Sequence, residues 1–263
     1  MDLGLTGQPA LVAAASKGMG RAVAEGLARE GARVAIFART EADVRLAADE
    51  IRAATGAEVL ALAGDVTRAA DVERIVGEAA GRFGGLRVLV TNAGGPPLGL
   101  FDEMDDAQWQ AAFELNLLSV IRLIRAAVPH LRAAGGGRIV NIQSTAVKQP
   151  IGGLVLSNTL RVGVVGLAKT LAAEFARDRI TVNTVCPGRI YTERLHSLFV
   201  YRARAQGGTV EQARAAEEAL IPLGRLGTPE EFAAMVVFLC SEPARYVTGA
   251  TVQVDGGLVR GLL

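Results

Sequence analysis

In this 263-residue chain, the residues whose types and spacing best suit chemistry form the turn Ala14-Ala15-Ser16-Lys17-Gly18-Met19-Gly20. The apolar run at 9–13 precedes it, and 21–30 follow with Val23, Leu27, Ala22, Ala24 and Ala28 at helical spacing. A strand that enters a helix through Gly18 and Gly20 can seat a pyrophosphate on the helix N-terminus. The glycines let backbone N–H groups approach, and the first-turn donors are unpaired. Alone, the turn also fits a plain small-residue strand-to-helix connection, so other positions must decide. Arg39 and Thr40 follow the next apolar run, 33–38. Ala38 stands where a carboxylate would bond a ribose 2′-hydroxyl, and Arg39 with Lys17 offers two cations to a 2′-phosphate. That pattern favours NADP(H) over NAD(H); the alternative is two solvated surface cations. In Gly64-Asp65-Val66, the Asp can accept from an adenine amine or sit near the N-cap of the next helix. Asn92-Ala93-Gly94-Gly95 leaves a strand end without bulk, as a flat cofactor beside it requires.

These residues must be positioned by the elements between them. Short apolar runs at 9–13, 33–38, 58–63, 87–92, 138–142, 180–185 and 251–254 read as strands. Helical patterns occupy 41–54, 69–83, 106–132, 154–177 and 230–240. Buried strands alternating with amphipathic helices predict an α/β fold: one Rossmann-like, doubly wound, mainly parallel sheet with helices on both faces. Ligands then bind beyond the carboxyl ends of the strands, which is where the residues above lie. No linker or repeat divides the chain, so 1–263 reads as a single domain. The segment 189–226 is irregular and charged, with His196 and Phe199 in it; it reads as a helical lid or as a peripheral hairpin.

Bulk properties narrow the function. A net charge of +1 gives no electrostatic footprint for nucleic acid or an anionic membrane. No run of eighteen apolar residues suggests a membrane span. Cys186 and Cys240 have no metal-ligand spacing, so no metal is expected. The first residues lack the basic and apolar regions of a secretory signal, which sets the expectation of a cytoplasmic protein with reduced thiols.

A run of motifs now resembles the short-chain dehydrogenase/reductase family, in the style of 3-oxoacyl-acyl carrier protein reductases. They are the Gly18-x-Gly20 turn, Gly64-Asp65-Val66, Thr91-Asn92-Ala93-Gly94, Trp109, Leu115-Asn116-Leu117 and 137–142. Ile180-Thr181-Val182-Asn183, Pro187-Gly188 with Thr192, Pro222-Leu223-Gly224-Arg225, Thr248-Gly249 and Asp255-Gly256-Gly257 continue the series. The resemblance covers nearly the whole chain. It implies a seven-stranded sheet and a nicotinamide cofactor touching Ala14, Ser16, Lys17, Gly18, Met19, Gly20, Arg39, Thr40, Asp65, Val66, Asn92, Ala93, Gly94, Pro187, Gly188, Ile190 and Thr192. It also implies a small-molecule carbonyl or hydroxyl substrate, such as a 3-oxoacyl thioester, and a homo-oligomer, a tetramer or dimer.

By the same resemblance, the catalytic set is an Asn, a Ser and a Tyr-x-x-x-Lys. Asn116 and Ser144 match the first two, but Ser157 stands at the Tyr position and Arg161 at the Lys position. Ala14 also replaces the first glycine of the turn. A Ser hydroxyl is a far weaker acid than a Tyr, and an Arg stays charged and relays no proton. Tyr191, His196 and Lys148 are the other candidate proton donors; for each the alternative is a lid or loop surface residue. Three readings stay open: an NADP(H)-linked oxidoreductase with an atypical proton donor, a catalytically silent nucleotide-binding member with a regulatory or assembly role, and a scaffold without cofactor.

Overall fold

The structure is a computed structural model covering residues 1–262, less the side chains at 201, 202, 205 and 206. Its strands are β1 (Pro9–Ala13), β2 (Arg33–Ala38), β3 (Val59–Ala63), β4 (Val88–Thr91), β5 (Gly137–Ile142), β6 (Ile180–Pro187) and β7 (Thr251–Val254). They pair in parallel as one sheet in the order β3-β2-β1-β4-β5-β6-β7. The helices are α1 (Gly18–Arg29), α2 (Glu41–Thr55), α3 (Ala69–Phe83), α4 (Asp106–Phe113), α5 (Ser119–Ala133), α6 (Val155–Glu174), α7 (Glu193–Gln206), α8 (Val210–Glu218) and α9 (Pro229–Cys240).

Strand periodicity sends side chains alternately to two cores. Ala10 and Val12 of β1 join the core made with Val23 and Leu27 of α1, Val44 and Ile51 of α2, and Phe232 and Val236 of α9. Leu11 and Ala13 point the other way, to Val72 and Ile75 of α3, Leu123 and Ile124 of α5, and Val164 and Ala168 of α6. Because both faces are covered, the strands could be nearly all apolar, which is what made them legible. Helix ends follow their local chemistry. Gly56 and Gly84 end α2 and α3 in the left-handed region, at φ +71° and +74°. Thr228 and Glu231 form a capping box ahead of Pro229 at the start of α9.

The segment expected as one helix over 106–132 is interrupted. A π turn, Glu114–Leu118, joins α4 to α5 and buries Asn116. No glycine or proline marks this turn in the sequence, so periodicity alone runs through it.

Between β6 and α9, α7 and α8 rest on a small separate core of Phe199, Ile221 and Leu226, with Leu195, Val210 and Ala213 packed on it. Arg189 Nε bonds Glu217 Oε2 at 2.6 Å beneath them. Leu258 packs on the same cluster, so part of the apolar C-terminal segment is covered within the chain. No described helix is long and apolar enough to cross a membrane. No metal-binding group of His, Cys, Asp and Glu occurs among the described residues.

Phe232 is fully buried where α9 meets α1 and the sheet. Phe232→Ala is expected to lower the free energy of unfolding by about 3–5 kcal/mol, measured by urea denaturation.

Candidate functional site

One cleft of about 470 Å³ opens at the carboxyl end of the sheet, where the strand order reverses between β1 and β4. It brings together Ala14, Lys17, Gly18, Met19 and Gly20 of the turn, and Asn92, Ala93 and Gly94 beyond β4. Ser144 beyond β5, Ser157 and Arg161 of α6, Pro187 and Gly188 at the end of β6, and Thr192 complete the predicted residues found there.

At the turn, Gly18 takes φ +58° and Ala14 takes φ +48°. The left-handed region suits Gly18 but strains Ala14, whose Cβ crowds the carbonyl. Gly20 is required by close packing: a Cβ there would stand 2.4 Å from the Ala14 carbonyl oxygen and 2.9 Å from Asn92 Nδ2. Asn92 Nδ2 donates to that same oxygen at 3.3 Å, tying the end of β4 to the turn. Lys17 is the N-cap of α1 and provides no side-chain cap. The first-turn N–H groups thus have no side-chain acceptor, and glycines clear the approach to them. This cradle fits an anion such as a dinucleotide pyrophosphate.

Other predicted cofactor residues lie outside the cleft. Arg39 and Thr40 are exposed beyond β2, one strand from the turn; Thr40 is the N-cap of α2 without a side-chain bond. Arg39 has no ion pair among the described residues. Lys17 does have one, an exposed contact to Asp43 Oδ2 at 3.5 Å, which solvent makes weak. Asp65 Oδ1 accepts from the backbone N–H and hydroxyl of Thr67, at 2.9 and 2.8 Å, leaving Oδ2 open. Val66 belongs to the core around α3. Ser16 is half-buried beside the turn but does not line the cleft. Ile190 is buried in the core around α1 and α9 and bridges to Gly227, so only its backbone is near the site. Thr192 uses its hydroxyl to cap α7, accepting from Leu195 N–H at 3.4 Å.

At the other end, Ser144 Oγ accepts from Ala146 N–H at 3.1 Å, which leaves its proton for a ligand. Ser157 is 4% exposed, lines the cleft, and has no hydrogen-bond partner. Arg161, one helical turn further on α6, is 7% exposed. It donates from Nη1 to Gln143 Oε1 at 3.2 Å and from Nη2 to the Gly94 carbonyl at 3.4 Å. Burial, with Arg194 adding repulsion, brings its pKa down to about 10, so it remains a cation near neutral pH. Asn116 does not line the cleft; Nδ2 donates to the Gly94 carbonyl at 2.8 Å, and its buried Oδ1 has no partner. Burial raises the Cys186 thiol to about 11, keeping it neutral near physiological pH.

The alternative proton donors lie elsewhere. Tyr191 and His196 bond one another, OH to Nδ1, at 3.2 Å and line a separate cavity on the outer side of Lys17 and Gly18. Arg214 lies over the Tyr191 ring. Lys148 is half-buried and outside the cleft. The sequence reading passed over Gln143, Glu193 and Arg194, all of which line the cleft. Gln143 follows a strand end and Arg194 follows Thr192 by two positions, so the strand-end rule would have found the first and lid adjacency the second.

Fold and cleft together define a doubly wound α/β protein of the dinucleotide-binding type. The chain belongs to the short-chain dehydrogenase/reductase family. The family model described as enoyl-(acyl carrier protein) reductase matches residues 13–259. The chain is 36% identical over 257 residues to dehydrogenase/reductase SDR family member 4 of Oryctolagus cuniculus, covering 96% of this chain and 94% of that protein. It is 36% identical over 252 residues to the 3-oxoacyl-[acyl-carrier-protein] reductase of Escherichia coli K12, covering 96% and 97%. Among solved structures, it resembles L-sorbose reductase from Gluconobacter frateurii complexed with NADPH and L-sorbose. That match has a TM-score of 0.97 and 35% identity over all of both chains. An actinorhodin polyketide ketoreductase with NADPH matches with a TM-score of 0.92 and 36% identity, covering 97% of this chain and 98% of that one.

Ala14→Gly relieves a left-handed Ala, worth about 1–2 kcal/mol, against a backbone-entropy loss of about 0.4–1 kcal/mol. The variant is expected to be more stable by roughly 0.5–1 kcal/mol in chemical denaturation. Gly20→Ala is expected to be less stable and to bind dinucleotide more weakly, since its Cβ meets the Ala14 carbonyl.

Proposed function

We propose that the chain is an NADP(H)-linked oxidoreductase acting on a carbonyl or hydroxyl compound, with a proton route that avoids a tyrosine. The observation that carries this reading is a single cleft running from the uncapped N-terminus of α1 to Ser144, Ser157 and Arg161. The two structural relatives described above, both NADPH complexes, support it. The backbone of Ser16, Lys17, Gly18, Met19 and Gly20 would hold the pyrophosphate, and Arg39 the 2′-phosphate, with Lys17 in reach once it leaves Asp43. Asp65 Oδ2 would accept from the adenine, and Asn92, Ala93, Gly94, Pro187, Gly188, Ile190 and Thr192 would flank the nicotinamide half. The bound cofactor supplies or takes up a hydride.

The chain's own groups must orient the substrate and provide a proton. Ser144 donates to the carbonyl oxygen, since its own oxygen is already engaged with Ala146 N–H. Ser157 replaces the Tyr that the family resemblance implies, and its hydroxyl is too weak an acid to protonate an alkoxide near neutral pH. Its free hydroxyl instead holds the inner end of a water chain open to solvent, through which a proton from bulk acid reaches the alkoxide while each water is left neutral. Arg161 stabilises developing negative charge and stays protonated throughout. Asn116 anchors the Gly94 carbonyl and so positions the floor of the site. The segment 189–226 acts as a lid within a single domain, hinged beside Gly188 and Gly227. The groove lined by Ile124 and Val128 of α5, Leu167 and Leu171 of α6, and Phe175 just past it would seat a second copy, and the cytoplasm is the compartment that suits the free cysteines.

The second reading, a silent nucleotide-binding member, is favoured by one observation: neither Tyr191 nor His196 reaches the cleft to replace the missing acid. NADPH binding, followed by fluorescence, is expected for both readings, and failure to bind either NADPH or NADH would exclude both. Arg39→Asp is expected to weaken NADPH about ten- to a hundredfold while changing NADH little, the scale of a lost charge-assisted contact. An equal effect on the two cofactors would overturn the NADP(H) preference. Turnover of carbonyl substrates by the unsubstituted protein supports the first reading; turnover only in Ser157→Tyr/Arg161→Lys supports the second.

A further inference from the structure

Arg161 is a buried cation with no anion. Its hydrogen bonds go to an amide oxygen and a backbone carbonyl, and no carboxylate pairs with it among the described residues. A buried charge with only neutral partners carries a desolvation penalty that an opposite charge would relieve. Arg194 adds a second cation instead. Its guanidinium lies against Gly95, where a Cβ would stand 2.7 Å from Nη2, and it too lacks an ion pair among the described residues. The charged side chains lining the cleft are Lys17, Arg161 and Arg194, against Glu193 alone. Glu193 is exposed in the first turn of α7 and bonds neither arginine.

The dinucleotide does not answer this charge. Its pyrophosphate belongs at the N-terminus of α1, beyond β1, whereas Arg161, on α6, bonds Gln143 beyond β5 and Gly94 beyond β4. Those strands lie two and one positions from β1 in the sheet, roughly 10 and 5 Å. The 2′-phosphate, at Arg39 beyond β2, is further away still. Beside Arg161 sits Ser157, buried, facing the cleft and without a partner. An unpaired hydroxyl and a guanidinium that has only neutral partners, on one helix face and four residues apart, form a donor pair about 5–6 Å wide at Cβ.

Building on the oxidoreductase reading, we propose that the substrate carries an oxyanion, a carboxylate or phosphate, close to its reacting carbonyl, with Arg161 as its anchor and Arg194 as the second cation. The Arg fork matches either group, and the one-turn spacing of Ser157 and Arg161 on α6 fits a 2-oxo or 3-oxo acid. The negative charge sits on the substrate itself, so an uncharged ester or thioester loses this contact.

The test is calorimetric titration of the full chain, preloaded with NADPH, with malonate, dimethyl malonate and inorganic phosphate. Malonate is expected to bind at least about tenfold more tightly than its diester, and Arg161→Gln to lose about tenfold or more of that affinity. Arg194→Gln, an exposed change that leaves the fold intact, is expected to weaken malonate by about threefold or more. Phosphate binding in place of malonate identifies the oxyanion as a phosphate. Equal binding of malonate and its diester, or binding of neither malonate nor phosphate, overturns the proposal, as does oxyanion affinity unchanged in both arginine variants. NADPH binding is read separately by fluorescence. If NADPH fails to bind, the oxidoreductase reading falls, and malonate titrated into the unloaded protein still decides whether the two arginines form an oxyanion site.

Discussion

Where β1 gives way to α1, the carbonyl of Ala14 is approached from two sides, by the Cα of Gly20 and by the side-chain amide of Asn92. The helix can begin this close to the strand only because position 20 lacks a Cβ. Its first N–H groups are thereby brought to the mouth of the cleft, and the end of β4 is pinned beside them. The position of the whole phosphate cradle follows from this one crowded oxygen. The chain meets the constraint with an Ala at φ +48°, holding a backbone conformation against its own side chain. The surrounding contacts, a buried β1 and a fully packed α1, keep it there.

The two ends of the cleft present positive potential in different ways. At the turn, partial charges on backbone donors are aimed outward and cost little when unoccupied, because water reaches them. Beyond β5, a full charge is held in a largely dry wall by α6. The first kind of site tolerates any phosphate that fits. The second discriminates, because only a group that brings compensating charge or hydrogen bonds recovers what desolvation removed.

Much of the architecture was legible because both sheet faces are covered. Strands such as 9–13 and 33–38 are apolar almost throughout, and the carboxyl ends of the strands mark the cleft. Glycines 18 and 20 read correctly as a turn for the same reason: only backbone crowding and positive φ demand them there. What periodicity could not reveal was where side chains point after an element ends. Tyr191 and His196 follow β6 closely in sequence, yet they turn to the outer side of the turn and meet edge to face. Thr192 lines the cleft, and its hydroxyl oxygen also caps α7 by accepting from Leu195 N–H, a second role that the sequence does not show. The role of Gln143 depends on a hydrogen bond to a residue 18 positions away, which no local pattern encodes.

The π turn at Glu114–Leu118 makes a different point about this chain's history and tolerance. A helix running straight from α4 into α5 would satisfy every local preference with one residue fewer. Winding the same residues as a regular α-helix would instead turn every later side chain of α5 by about 100° about the axis. The apolar stripe that α5 lays on the sheet would rotate out of register, and the Asn116 amide would swing away from the Gly94 carbonyl. A regular α-helix through these residues is therefore blocked by two penalties at once, one in the core and one in the cleft, and the wide turn is what keeps both in place.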